Sequence, residues 1–168
     1  MSTTPADAKT GYRAPQAPGP GEFADARIHI IATRWNVEVV DALVQGAREA
    51  LLEWGVAARN IVEIRAPGAY ELPLACEALA RGGQTDAMIA MGAVIKGDTP
   101  HFDFVAGECA RGLQDVALKH AIPVGFGVLT VNTEAQARER CKPGKENKGY
   151  EAAQAVLEML RIVRNARG

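Results

Sequence analysis

The chain has no long hydrophobic run. No stretch approaches the roughly 20 apolar residues that a bilayer-spanning helix needs, and the N-terminus lacks the apolar core of a secretory leader. Net charge is almost absent too. Nineteen basic residues against 20 acidic ones leave a formal charge of -1. Bulk electrostatics therefore give no pull toward nucleic acid or an anionic membrane, and an anionic ligand must be held by local groups. Cysteine is scarce. Cys76, Cys109 and Cys141 are odd in number, widely spaced and contain no Cys-x-x-Cys pair. That excludes a disulfide framework and a zinc site of ordinary spacing, and it fits a reducing compartment. The expectation is a cytoplasmic protein without metal, membrane or nucleic-acid partners.

What is present is ordinary for a globular protein: 168 residues, 48% hydrophobic and 23% charged. That length fits one domain, able to bury roughly 70% of its unfolded surface without covalent staples. Residues 1–25 differ from the rest. The stretch 10–21 is rich in Pro, Gly and Ala, offers little apolar surface to offset ordering, and reads as a flexible or extended arm that a neighbouring subunit can order. The domain proper is expected over 26–168.

Beyond the arm the pattern alternates. Residues 27–33 read as a buried strand. Over 37–54, Val40, Val44, Ala47 and Leu51 form a helical stripe with Leu43 beside it, ended by Gly55. A second strand is expected over 60–65 and a helix over 70–81, stopped by Gly82-Gly83. A third strand, apolar on both faces, spans 86–95. A helix over 102–120 carries Val105, Cys109, Leu113 and Val116 on one side. A fourth strand spans 123–130. Thr133 to Gln136 fits a capping box opening a short helix. Asn147 is placed to cap a last helix, whose apolar face is Tyr150, Ala153, Val156, Leu157, Leu160 and Val163. The order βαβαβαβαα predicts a four-stranded parallel sheet covered on both faces, with ligands bound beyond the carboxyl ends of the strands.

Four segments fall at those ends: 34–36, 67–71, 96–101 and 130–132. Trp35 offers a flat ring to a heterocycle and Asn36 a bond to its edge; alternatively Trp35 packs and Asn36 caps a helix. Pro67-Gly68-Ala69 reads as a tight turn that lets a ligand approach the backbone. Glu71 can hold a polar group or simply suit a helix start. Gly97-Asp98-Thr99 sits where backbone N–H groups emerge at a helix N-terminus, which suits a phosphate or an ordinary cap. Of the three histidines only His101 lies at the carboxyl edge, where a group titrating near neutrality can take and give a proton. His29 is within a strand, and His120 ends a helix where positive charge suits the dipole. Arg140 can clamp phosphate, or with Arg138 be solvated surface.

These residues carry a resemblance to the lumazine synthase family. The matching segments are Trp35-Asn36, 67–73 (Pro-Gly-Ala-Tyr-Glu-Leu-Pro), 92–105 (Gly-Ala-Val-Ile-Lys-Gly-Asp-Thr-Pro-His-Phe-Asp-Phe-Val), 123–130 and Asn147-Lys148-Gly149, in family order across about residues 27–165. The 92–105 block is the most specific. The resemblance implies a three-layer flavodoxin-like sandwich. It also implies a transferase of the penultimate step of riboflavin biosynthesis, condensing 5-amino-6-(D-ribitylamino)uracil with 3,4-dihydroxy-2-butanone 4-phosphate and using no cofactor. By the same resemblance His101 is the proton carrier, Asp98 and Thr99 cradle phosphate, and Arg140 pairs with it. Trp35 stacks on the pyrimidine. Asn36, Ala69, Tyr70 and Glu71 surround the ribityl chain, and Ala93, Val94 and Ile95 contact the uracil side. Phe126 and Lys148 are lent by a neighbouring subunit.

The resemblance further implies a homopentamer or a multiple of one, with sites between subunits, and riboflavin synthase as a further candidate partner. Trp35 and Tyr70 stand where Phe is frequent, and the arm is longer than usual. Pro100 should push Thr99 out of helical geometry. Two rivals share the fold: a non-catalytic flavin or lumazine binder and a shell-forming protein. A flavodoxin-like electron carrier fits less well, because 33–36 lacks a hydroxyl- and glycine-rich phosphate loop after the first strand.

Overall fold

A computed structural model describes residues 11–168. Four strands, β1 (Ile28–Thr33), β2 (Ile61–Ala66), β3 (Ala87–Ile95) and β4 (Val124–Val131), alternate with helices α1 (Val37–Glu53), α2 (Leu72–Gly82) and α3 (His101–His120). Two further helices follow, α4 (Glu134–Arg140) and α5 (Lys148–Ala166). All strand pairs are parallel, in the order β2-β1-β3-β4. This is the expected α/β sandwich.

The two faces of the sheet bury different side chains of each strand. Ile28, Ile30, Ile89 and Leu129 join Val40, Leu43, Ala47 and Leu51 of α1 and Ala153, Val156 and Leu157 of α5. Ile31, Met88, Ala90 and Val128 join Leu72 and Cys76 of α2 and Cys109, Leu113 and Val116 of α3. β1 and β3 are covered on both sides, which is why their sequences are nearly continuous apolar runs. Val105 and Val163 are only half-buried.

Two local findings refine the sequence reading. The helix expected from Tyr70 opens as a 3-10 turn over Ala69–Glu71 before α2 proper begins at Leu72. In the capping box, the Thr133 hydroxyl accepts from the Gln136 N–H at 3.1 Å, but the Gln136 side chain accepts from Asn132 rather than from Thr133. The return half of the box is displaced by one residue.

Phe23, just before β1, is fully buried, with its ring centroid 6.0 Å from that of Trp54. The Arg161 guanidinium lies over both rings, at 5.7 and 5.8 Å from their centroids, and is ion-paired to Glu22 at 2.6 Å. The segment entering β1 is thus tied to α5. On the opposite face Glu77 of α2 meets Lys119 at 2.9 Å and His120 at 2.8 Å on α3. These bonds, with that from Arg81, hold the Glu77 carboxyl far down, at about 2. Among the described residues no helix is long and apolar enough to cross a membrane.

Candidate active site

The chain leaves β1 toward β2 on one side and later returns to place β3 on the other. The carboxyl ends of β1 and β3 therefore form the topological switch point, where an open parallel sheet has a crevice. A cleft of about 670 Å³ lies there. Its walls are Thr33, Trp35 and Asn36 after β1, residues 68–71 after β2, residues 93–95 at the end of β3, and His101, Phe104 and Val105 on the first turns of α3.

Each wall has a local cause. β3 runs on to Ile95, four residues past Met91, its last pairing with β1. On that side Ala93 and Ile95 have no strand beside them, so their backbone edge is open to a planar ligand. Asn36 takes part of this edge: its Nδ2 donates to the Ala93 carbonyl at 3.3 Å. Asn36 does not cap α1 with its side chain. It sits in the left-handed region at φ 51 and ψ 52, a conformation Asn tolerates better than most residues. The chain thereby turns sharply and presents Trp35, 68% exposed, over the cleft. Gly68 is extended and needs no special conformation. It is small because a Cβ there would lie 3.2 Å from Glu71 Oε2 and 3.5 Å from Trp35 Cδ1.

α3 begins at His101, after Pro100, and the Thr99 hydroxyl accepts from the His101 N–H at 3.4 Å. Thr99 thus caps from outside the helix, in keeping with the restriction Pro100 imposes. His101 is exposed on the first turn, next to Phe104 one turn on. The cysteines are no rivals as nucleophiles. Burial pushes Cys76 up to about 12 and Cys109 to about 11, so neither is a thiolate near neutrality.

The cleft brings together Trp35, Asn36, Ala69, Tyr70, Glu71, Ala93, Val94, Ile95 and His101. Asp98 and Thr99 lie on the exposed loop leading into α3 and are not part of its walls. Phe126, Arg140 and Lys148 also stand outside it. Phe126 is half exposed on the edge strand β4, Arg140 donates to the Gln136 carbonyl on α4, and Lys148 pairs with Glu151 at 2.9 Å on α5. Thr33, Phe104 and Val105 line the cleft without having been singled out. For the last two, the three- and four-residue spacing from His101 on one helix was the available signal.

A family model of 6,7-dimethyl-8-ribityllumazine synthase matches residues 25–164 of the chain. The chain belongs to the 6,7-dimethyl-8-ribityllumazine synthase family. Lumazine synthases are transferase-type enzymes of riboflavin biosynthesis, and the match spans all four strands, α1 to α4, α5 up to residue 164, and the whole cleft. The lumazine synthase match also begins two residues after Phe23, so the anchored turn at Gly19–Phe23 precedes it.

Proposed function

We propose that the chain condenses 5-amino-6-(D-ribitylamino)uracil with 3,4-dihydroxy-2-butanone 4-phosphate to give 6,7-dimethyl-8-ribityllumazine, phosphate and two molecules of water. One observation carries this reading beyond family membership. A flat ring (Trp35), a backbone edge at Ala93 to Ile95 with no strand on its β1 side, and a proton carrier (His101) converge on one cleft at the switch point. A pyrimidine has a π-face for the ring and imide-like donors and acceptors for the edge. The substrate amine attacks the ketone and water leaves as the imine forms. Phosphate is then eliminated, and the ribitylamino nitrogen attacks the remaining carbonyl and expels a second water as the second ring closes. Every step moves protons, the work His101 suits. Asp98, Thr99 and the start of α3 form the anion end, and Tyr70 and Glu71 take the polyol.

The functional unit is an oligomer, a pentamer or a multiple of one. Tyr70, Leu74, Phe104, Leu118 and Phe126 are large apolar residues left in water by a single chain, as expected of surfaces that association covers. Phe126, Lys148 and Arg140 lie outside the cleft of their own chain and serve the site of a neighbour. The working compartment is the cytoplasm.

The test mixes purified protein with both substrates and follows lumazine absorbance against an enzyme-free control. Acceleration that is lost in His101→Ala, with assembly size unchanged, is expected. A near-wild-type rate in that variant removes His101 from the mechanism. No acceleration by the wild type, with tight binding of lumazine, leaves the non-catalytic binder.

A further inference from the structure

Three polar residues are buried among the described residues: Thr33, Thr85 and Asn147. Two of them satisfy their side chains internally. The Thr85 hydroxyl donates to the Ala87 carbonyl at 2.9 Å, and Asn147 makes four bonds between 2.8 and 3.2 Å. Thr33 differs. It is 1% exposed, and the side-chain bond it receives, from Arg65 at 3.2 Å, goes to its backbone carbonyl. Its hydroxyl has no hydrogen-bond partner among the described residues, and Thr33 lines the cleft. The Thr33 residue is almost wholly enclosed, so its unpartnered hydroxyl has little water to bond and is reachable where the residue lines the cleft.

The neighbourhood explains how the hydroxyl stays open. Thr33 is the last residue of β1 and lies beside Gly92 of β3, on the face covered by α2 and α3. A Cβ at Gly92 would lie 3.2 Å from Thr33 Oγ1 and 3.3 Å from its Cγ2. Glycine leaves that space empty. Asn36, the nearest side-chain amide along the chain, is turned away to Ala93. The floor of the cleft therefore holds one uncharged group that can both donate and accept.

We propose that the Thr33 hydroxyl is a hydrogen-bonding contact for the ring-bearing polyol substrate. The assignment rests on the proposed condensation for the identity of that substrate. A hydroxyl that gives and takes matches a neutral polyol or a ring amide. It does not match the phosphate substrate, whose anion is served by the α3 end of the cleft.

The test compares Thr33→Val, which keeps shape and removes the hydroxyl, with Thr33→Ser, which keeps the hydroxyl and removes the methyl. The probe is the unreactive 5-nitro analogue of the ribitylaminouracil, titrated by fluorescence quenching, beside KM for both substrates. Thr33→Val should weaken the analogue and raise the uracil KM about 5-fold, the size of one neutral hydrogen bond. The KM for the phosphate substrate and kcat should stay within about twofold. Thr33→Ser should recover most of the loss. Unchanged analogue affinity in Thr33→Val overturns the proposal, and so does Thr33→Ser binding as poorly as Thr33→Val. An analogue with a butyl chain in place of ribityl separates the two contacts. A penalty that persists supports the ring, and one that vanishes supports the polyol. Should the wild type bind the analogue but fail to turn over the two substrates, the condensation reading fails while the analogue affinities still decide Thr33.

Discussion

Asn147→Ala is the substitution with the clearest predicted cost. Asn147 is 2% exposed and precedes α5. Its Oδ1 accepts from the N–H groups of Gly149 at 2.8 Å and Tyr150 at 3.1 Å, and its Nδ2 donates to the carbonyls of Cys141 at 2.9 Å and Ala42 at 3.2 Å. Alanine removes the cap, costing about 1 kcal/mol. It also orphans the buried Cys141 carbonyl, which costs about 1–2 kcal/mol. Ala42 lies within α1, where its carbonyl has a helical partner, so its share is small. The sum is about 2–3 kcal/mol, or roughly 30- to 150-fold in the folding equilibrium. Relaxation is restricted because the amide fills the space beside Gly46, and a Cβ at Gly149 would collide with the Leu43 carbonyl. α1 and α5 cannot close over the gap without shifting backbone. Asn147→Asp keeps both acceptor bonds but turns a carboxylate on two carbonyl oxygens, so it should be at least as damaging at pH 7. The assay is urea unfolding at fixed subunit concentration, followed through buried Trp54. A loss below about 1 kcal/mol in Asn147→Ala, or wild-type stability in Asn147→Asp, would refute the reasoning.

Two more outcomes are expected. Glu77 titrates at about 2 in the folded chain, against 4.5 for an ordinary Glu, so its pairing with Lys119 and His120 stabilises above about 4.5 and is lost as pH falls toward 2. The stability gap between wild type and Glu77→Gln should therefore shrink across that window; a gap independent of pH would exclude this linkage. Refolding His101→Ala subunits together with Arg140→Ala subunits should restore about a quarter of wild-type sites if each site draws the two residues from different chains of a ring. Absence of any recovery in co-assembled rings would mean that one chain supplies both.

Element type and order were legible because strand and helix differ in apolar period, and β1 and β3 are buried on both faces. Legibility stopped where partners are distant in the chain. Asn147 was readable as a cap from its own neighbourhood, but its donor bond to Ala42 spans 105 positions. His120 was readable as a cation at a helix end, but its partner Glu77 is 43 positions away on α2. Thr33 gave no signal at all: a threonine ending a strand is common, and only the gap over Gly92 and the end of the β1–β3 pairing open its hydroxyl to the cleft. Asn36 was visible as a residue suited to a cap or a ligand. Its left-handed backbone and its bond to Ala93 follow from β3 outrunning β1, which no local pattern encodes.

The same geometry links catalysis to association under the proposed reading. Tyr70 and Phe104 are both cleft walls and exposed apolar surface. A neighbour that covers them must approach the mouth of the cleft, and covering them is favourable by about 25 cal/mol per Å² of apolar surface. Desolvating the outer wall strengthens every polar contact inside, including those of Glu71 and His101. The residues that stand outside their own cleft are Phe126, on the edge strand β4, and Arg140, on α4. One chain therefore supplies a ring shelf, a backbone edge and a proton carrier, but leaves its site open to water on the side where apolar surface calls for a partner. Closing that side and completing the site are then one event, so weakening the contact should lower turnover before it lowers the stability of the individual fold.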